Sequence, residues 1–136
     1  MPGNTPVRTV LGNAPITTML PVMELQRARE FYEQKLGLTP EGLLPDGNFV
    51  YSVGGTHLAL FPRPGGTKAD HTAVSFEVPD IAEAIVALER NGVTFEDYDL
   101  PDLKTVDHIC VIGAEKAAWF KDTEGNYLCI HEGVSA

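Results

Sequence analysis

Histidine and cysteine side chains are the groups in this sequence best suited to metal ligation or proton transfer. His57, His71 and His131 lie in short runs rich in β-branched and apolar residues, and Cys129 lies two positions before His131. A neutral imidazole titrates near ~6.5 and can act as a ligand, an acid or a base. We therefore expect the strands that carry these residues to form the candidate site, although histidines at strand ends are commonly just solvated.

The remaining reactive residues are weaker candidates. Cys129 lies in an apolar run, where a small buried thiol is more common than a nucleophile. Asp107 and His108 are adjacent, and adjacent residues of an extended chain point to opposite faces, which argues against an acid–base dyad. Three aromatic residues in strand-like runs either stack on a flat ligand or fill the core: Phe49, Tyr51 and Trp119.

The composition excludes several classes of partner. The 136 residues are 43% hydrophobic and 21% charged, which is enough apolar material for one folded domain. The 10 Lys and Arg against 19 Asp and Glu give a net charge of -9, the wrong sign for binding nucleic acid or an anionic membrane. Two cysteines are too few for a disulfide framework, and no apolar run reaches the ~18 residues of a membrane span. We expect a soluble, cytoplasmic protein.

The same order of predicted elements occurs twice along the chain. The first half contains a strand, a helix and three strands, at 16–22, 24–36, 38–44, 49–53 and 57–61. The second half repeats this order at 71–78, 80–91, 93–98, 116–121 and 127–132. Its helix opens with Asp80 and Glu83 at the spacing of a capping box. Residues 100–115 form a long connection of the kind that often covers a binding site.

Residue agreements between the two halves indicate a duplication. Val22 aligns with Val78, and Ala28 aligns with Ala84 at the same offset. The two modules are expected to pack sheet against sheet around a shared interior and to leave a cleft. The prediction is an α+β fold of two βαβββ modules with these parts: a flexible arm at 1–14, and one domain at 15–136 that holds module one at 15–66 and module two at 70–133.

Three segments carry a family resemblance: TMLPVMELQRAREFYEQKLGL, VSFEVPDIAEAIVALERNGV and AAWFKDTEGNYLCI. The chain resembles the vicinal oxygen chelate superfamily, which includes glyoxalase I, bleomycin-resistance proteins, fosfomycin-resistance enzymes and extradiol dioxygenases. In the last segment Thr123 stands where the family's turn has a proline. The resemblance covers residues 16–132. It implies a mixed sheet in which each module curls into half of a cup, and a homodimer.

The resemblance also implies where metal-dependent members hold a divalent ion. Its four ligand positions are occupied here by Thr17, Ala59, Ala73 and Cys129. Only the thiol commonly ligates metals, and a lone thiolate does not make such a site, so we expect no metal cofactor. The alternative is a displaced divalent site built from His57, His71 and His131, each two positions from one of those residues.

Two functions remain open at this stage. The first is a binding protein whose partners are a small organic molecule and a second copy of the chain. The second is a glyoxalase-type lyase or isomerase, or a dioxygenase, that uses the displaced metal. The first is preferred because small side chains at the ligand positions remove charge and open space in a predicted pocket lined by Thr17, Tyr51, His57, Ala59, His71, Ala73, Trp119 and Cys129.

Overall fold

The computed structural model describes residues 9–133 of the chain. A single helical turn, α1, is formed by Thr9–Gly12. The first half then contains β1 (Thr17–Val22), α2 (Leu25–Glu30), β2 (Thr39–Leu43), β3 (Phe49–Val53) and β4 (Thr56–Pro62). The second half contains β5 (Thr72–Glu77), α3 (Ile81–Arg90), β6 (Asp99–Leu100), β7 (Leu103–Lys104), β8 (Cys110–Ile112), β9 (Glu115–Lys121) and β10 (Tyr127–Glu132).

The strands form two four-stranded mixed sheets with the same topology. The strand order is β1-β4-β3-β2 in the first sheet and β5-β10-β9-β8 in the second. In each sheet the first strand pairs in parallel with the last, β1 with β4 and β5 with β10, and the other pairs are antiparallel. The predicted α+β fold of two βαβββ modules is therefore confirmed.

The edge strand of the second sheet differs from the prediction. Residues 93–98 do not form a strand; only Phe95 bridges to Phe120, and the Glu96 N–H donates to the Trp119 carbonyl at 2.8 Å. The chain then leaves the sheet, forms the β6–β7 hairpin, and returns to the same neighbour as β8. An edge strand has only one partner, so it can be interrupted without disturbing the rest of the sheet. The predicted connection at 100–115 therefore contains the edge strand.

The two helices begin in different ways. In α3 the Asp80 carboxylate accepts a hydrogen bond from the Glu83 N–H at 3.1 Å, as the capping pattern predicts. In α2 the preceding residue, Glu24, makes no side-chain cap. This helix continues as a π-helical turn at Phe31–Lys35, so the two parts together cover most of the predicted helix at 24–36.

One hydrophobic core contains residues of both sheets and of the helices α2 and α3. Because side chains alternate along a strand, every second residue faces this core, and the others face away from it. We call the face of each sheet that points away from the core its outer face. Buried side chains from both modules form this core, among them Leu20, Leu60, Tyr32, Phe31, Ile81, Ile85, Phe120, Leu128 and Ile130.

The turn at Asp122–Asn126, between β9 and β10, joins the second module to the start of α2. The Glu124 carboxylate accepts hydrogen bonds from the backbone N–H groups of Met23 at 2.9 Å and Glu24 at 3.0 Å, and from the Arg27 guanidinium at 2.8 and 3.1 Å. The Asn126 amide donates to the Pro21 carbonyl at 3.0 Å. We call this set of contacts the turn latch.

The pKa of the Glu124 carboxyl reflects these donors. Burial by itself raises this pKa, but the hydrogen bonds from Arg27, Glu24, Thr123 and Met23 outweigh burial and lower it from 4.5 to about 2. The carboxylate is thus held in its ionised form. Its side chain is fully buried although that of Arg27 is about half exposed.

The N-terminal arm is described only in part. Residues 1–8 of the predicted arm at 1–14 lie outside the described residues, and Thr9–Gly12 form the single turn α1. Within residues 9–133, no helix has both the length and the apolar character needed to cross a bilayer.

Candidate functional site

The outer face of the first sheet carries a cavity of about 520 Å³. The parallel register of β1 and β4 places Thr17 beside His57 and Met19 beside Ala59, and all four line this cavity. Val50 of β3 lies opposite Ala59 and forms part of the floor. The wall beside β2 is formed by Glu41, Gly42, Leu43, Leu44, Asp46 and Asn48.

The imidazole of His57 lies at one side of this cavity. Its Nε2 is 3.4 Å from a carboxylate oxygen of Glu41, and both side chains are partly exposed. Ser52 lies directly opposite His57 in the β3–β4 pair, but within the described residues no hydrogen bond joins their side chains. His57 is therefore an accessible polar group in a largely apolar cavity.

The outer face of the second sheet carries a separate cavity of about 350 Å³. Trp119, Cys129 and Ser75 lie side by side across β9, β10 and β5. His131 follows Cys129 on the same face of β10, two residues along. The cavity shares no lining residue with the first one and is completed by Cys110, Ile112, Glu115 and Ala117.

A connected polar group lies in this second cavity. The Ser75 hydroxyl is 2.6 Å from Nδ1 of His131, whose Nε2 is 3.7 Å from a carboxylate oxygen of Glu77. Burial raises the pKa of the adjacent Cys129 thiol, and a hydrogen bond with Ser75 opposes that shift only in part. Cys129 is therefore held as a neutral thiol. Sequence reasoning missed Ser75, whose only signal was its position two residues after Ala73 in the same strand.

Ala73 lies at an irregularity in β5. The parallel register pairs Thr72 with Tyr127 and Val74 with Leu128, so Ala73 is an extra residue without a partner. The Trp119 indole N–H donates to the Thr72 hydroxyl at 3.1 Å, and Ala73 packs against the core cluster. The resemblance implies that Ala73 occupies a ligand position, but the bulge turns its side chain away from the outer face.

Two further predicted pocket residues lie away from both cavities. Tyr51 faces the core and is fully buried, and its hydroxyl donates to the Glu33 carboxylate at 2.8 Å. His71 is exposed in the bend before β5 and lines neither outer-face cavity. The prediction placed eight residues on one surface. In a single chain the structure groups Thr17, His57 and Ala59 on the first outer face, and Trp119 and Cys129 on the second.

A third cavity of about 270 Å³ lies between the edges of the two sheets. His57 of the first module and Ser75 and Glu77 of the second are among its lining residues. Polar residues of the two outer faces therefore line one cavity here. His131 does not line it.

The metal positions implied by the family resemblance do not form a donor set in a single chain. Thr17 and Ala59 lie in the first cavity, Cys129 in the second, and Ala73 in neither. Among residues 9–133, no three His, Cys, Asp or Glu side chains are arranged to hold an ion. The histidines of the displaced site are likewise separated, since His57 and His131 line different outer faces. That the protein uses no metal cofactor stays a prediction.

His108 pairs with residues distant from Asp107. Its Nδ1 is 3.0 Å from Asp97, its Nε2 is 3.2 Å from Glu89, and its ring stacks on Phe95. Asp107 and His108 have φ angles of 53° and 73° and form the tight turn of a small hairpin closed by Val106 and Ile109. The imidazole thus attaches the segment 97–109 to Glu89 of α3 and to Phe95. It forms no dyad with Asp107.

Comparison with known proteins identifies the class. Two βαβββ modules are the architecture that the resemblance implies, and the chain belongs to the Glyoxalase/Bleomycin resistance protein/Dioxygenase superfamily, whose sequence profile matches residues 15–130. Among curated proteins, none matches this sequence at a significant level.

Solved structures with the same fold have low sequence identity to this chain. A glyoxalase family protein from Bacillus anthracis has a TM-score of 0.70 and 16% identity, over 88% of this chain and 94% of its own. A lactoylglutathione lyase from Agrobacterium tumefaciens has a TM-score of 0.64 and 21% identity, over 89% and 94%. TnmS3, an antibiotic binding protein from Streptomyces sp. CB03234, has a TM-score of 0.64 and 18% identity, over 88% and 95%. At these identities the likeness shows the fold alone.

Proposed function

We propose that this protein binds a small organic molecule in the first outer-face cavity without a metal ion. The observation that carries the proposal is the cavity itself, about 520 Å³ in volume, with Thr17 and Ala59 at positions where metal-dependent relatives are expected to carry ligands. That volume falls within the ~300 to 1,000 Å³ typical of sites for drug-sized ligands. TnmS3, which has the same fold, is described as an antibiotic binding protein, and this supports the same class of activity here.

The lining favours a neutral or cationic ligand. Apolar side chains such as Met19, Leu43 and Val50 provide most of the contact surface. The Glu41 and Asp46 carboxylates in the wall of the cavity repel anions. The net charge of the chain is also negative. His57 supplies a polar group that can orient a hydroxyl or carbonyl of the ligand. The free thiols of Cys110 and Cys129 support a reducing compartment such as the cytoplasm.

A homodimer is part of this proposal. Large apolar side chains are exposed near both outer faces, including Met19, Leu43 and Leu44 on the first and Ile112 on the second. A second copy packed along these apolar side chains would cover them and close one side of the first cavity. Sedimentation equilibrium at micromolar concentration is expected to give twice 14.8 kDa, and a particle of 14.8 kDa would contradict the dimer.

Ligand binding is tested by filling the cavity. Thr17 is exposed and lines it, so Thr17→Trp is expected to fold and to occupy the space that the ligand needs. The probes are bleomycin and a panel of planar aromatic antibiotics in a thermal-shift assay. A true ligand at 100 times its Kd stabilises the folded state by about 2.7 kcal/mol, which raises the melting temperature of the native protein. This rise should be absent in Thr17→Trp.

The matched control is Thr94→Trp, because Thr94 is exposed and lines neither outer-face cavity. An equal thermal shift in Thr17→Trp and in the control would exclude the first cavity as the site. Elemental analysis of the purified protein tests the metal-free part of the proposal. Stoichiometric Ni, Zn, Mn or Fe would instead favour the glyoxalase-type lyase or isomerase.

A further inference from the structure

We propose that Ser75, His131 and Glu77 form a nucleophile, its general base and a positioning carboxylate that cleave small apolar carboxylic esters on the second outer face. This activity goes beyond the binding proposed for the first outer face. It rests on different residues, since none of the three lines the first cavity. Failure of one proposal therefore leaves the other intact.

The geometry is set by the parallel pairing of β5 with β10. The register places Ser75 opposite Cys129, and Glu77 opposite His131. Ser75 and Glu77 are two residues apart and share one face of β5, so the imidazole lies between their side chains. The Ser75 Oγ to His131 Nδ1 distance is 2.6 Å, which is a short hydrogen bond for these atoms.

The carboxylate selects the useful tautomer of the imidazole. Oε1 of Glu77 lies 3.7 Å from Nε2 of His131, longer than a hydrogen bond but on the side of the ring opposite Ser75. A carboxylate there favours a proton on Nε2, which leaves the lone pair of Nδ1 directed at the Ser75 hydroxyl. Catalytic contacts of this kind are often loose before substrate binds. Glu77 therefore acts through His131 as a positioning residue.

The adjoining cavity fits an apolar acyl group. Ser75 and His131 lie at its polar side, while Trp119, Cys110 and Ile112 are among its apolar lining residues. Its volume of about 350 Å³ is at the small end of ligand sites. A short acyl chain can occupy this space with its carbonyl carbon next to the hydroxyl of Ser75, which is exposed.

The reaction consumes one ester and one water. The Ser75 oxygen bonds to the carbonyl carbon while its proton passes to Nδ1 of His131. The carbon–oxygen bond to the leaving alcohol then breaks, and the alcohol takes that proton. A water molecule next donates a proton to His131 as its oxygen bonds to the acyl carbon. The carboxylic acid leaves, and Ser75 regains the proton.

The first module contains a natural control. Ser52 also faces a histidine across a strand pair, His57, which has its own glutamate, Glu41, at 3.4 Å. Within residues 9–133 no hydrogen bond joins Ser52 to His57. The same three residue types thus lie on both modules, but only in the second is the hydroxyl bonded to the imidazole.

The test uses p-nitrophenyl butyrate with the full-length protein. Intact-mass spectrometry and peptide mapping should find a butyryl group on Ser75, and release of p-nitrophenol should follow. Ser75→Ala should lose both signals, and His131→Gln should slow acylation by about 100-fold or more. Ser52→Ala is the matched control and should retain the native rate.

Two readouts separate catalysis from structure. Melting temperatures report whether each variant is folded, and Ser75 is exposed, so Ser75→Ala is expected to fold even if His131→Gln does not. Glu77→Gln should lower the rate constant of acylation and leave KM nearly unchanged, because Glu77 acts through His131 and does not touch the ester. A butyryl group found only on another residue, such as Cys129 or Lys116, would overturn the proposal, as would equal acylation of native protein and folded Ser75→Ala.

Discussion

The β3–β4 turn and the β9–β10 turn occupy equivalent places in the two modules. In the first module the turn is Gly54–Gly55, with φ angles of 52° and 83°, and it contributes only backbone. In the second module, Asp122, Glu124 and Asn126 are buried polar residues that contact the other half of the chain. The duplicated topology is therefore maintained by strand pairing, while the turn latch comes from the side chains of one turn alone.

The helices α2 and α3 differ in the same way, in whether their first N–H groups find acceptors within their own module. The α3 helix has its own cap in Asp80, and the Ile81 N–H also donates to the Glu132 carboxylate of the same module at 2.7 Å. The α2 helix has no side-chain cap from Glu24, and Glu124 of the other module satisfies N–H groups at its start. One helix is thus completed locally and the other only when both modules are folded.

Removing the latch carboxylate should have the largest effect on stability. Glu124→Ala leaves N–H groups of Met23 and Glu24 without their acceptor and breaks the pair with Arg27, at a cost of about 3 kcal/mol in the free energy of unfolding. Urea denaturation measures this change. Glu30→Ala is the control, because Glu30 is an exposed glutamate of α2, the helix whose first N–H groups Glu124 accepts from. A loss of the same size in the control would show that the latch has no special role.

Acid should weaken the latch in the native protein. The pKa of Glu124 is about 2 in the folded state against an ordinary 4.5, so its contribution is complete above pH 4.5 and is lost as the pH falls toward 2. Such a difference corresponds to about 3 kcal/mol. Urea denaturation across this range should give a shallower dependence on pH for Glu124→Gln than for the native protein. Parallel curves would contradict the assignment of acid sensitivity to Glu124.

Tyr32 bonds to the other module and Tyr51 to its own, and replacing either should change stability less than replacing Glu124 does. The Tyr32 hydroxyl donates to Asp122 of the second module at 2.6 Å, and burial together with that carboxylate raises the pKa of Tyr32 well above its ordinary value. Tyr32→Phe should cost about 2 kcal/mol, because the buried Asp122 loses a donor. Tyr51→Phe should cost about 1 kcal/mol, because Glu33 is partly exposed and keeps its bond to Arg29. The reverse order in thermal or urea denaturation would show that the contact between modules is the weaker one.

The smallest expected effect on stability comes from a change at the start of α3, whose N–H groups are satisfied within its own module. Glu132→Ala removes one acceptor from the start of α3 but leaves Asp80 in place, so the free energy of unfolding should fall by about 1 kcal/mol. Calorimetry of the single variants measures this. A loss as large as that of Glu124→Ala would mean that both helices depend equally on a distant glutamate.

Much of the fold follows from local sequence patterns. The run FVYSV predicts a strand at 49–53, and the strand lies at Phe49–Val53, because its residues favour extended chain and glycine turns bound it. The cap and the apolar spacing predict a helix at 80–91, and α3 lies at Ile81–Arg90. The strand predicted at 93–98 was wrong, because its interruption depends on contacts of Phe95 and His108 that lie far apart in sequence.

The candidate site was harder to predict because it depends on strand register. A one-residue bulge at Ala73 reverses the faces of the residues before it, and no local signal in HTAVSFEV marks the bulge. Tyr51 and Trp119 look alike as strand aromatics, yet one faces the core and the other the second outer face. The pairing of Ser75 with His131 joins residues from two strands and becomes visible only with the parallel register.

The turn latch also bears on the order in which the chain folds. Glu124 reaches back to Met23 and Glu24 across separations of 101 and 100 residues, so this contact closes a loop of nearly the whole described chain. Closing so long a loop is entropically costly before other contacts support it, so we expect the latch to form after the rate-limiting step. Its loss in Glu124→Ala should then accelerate unfolding and leave the folding rate nearly unchanged in stopped-flow measurements. The latch would thereby set how long each folded molecule persists.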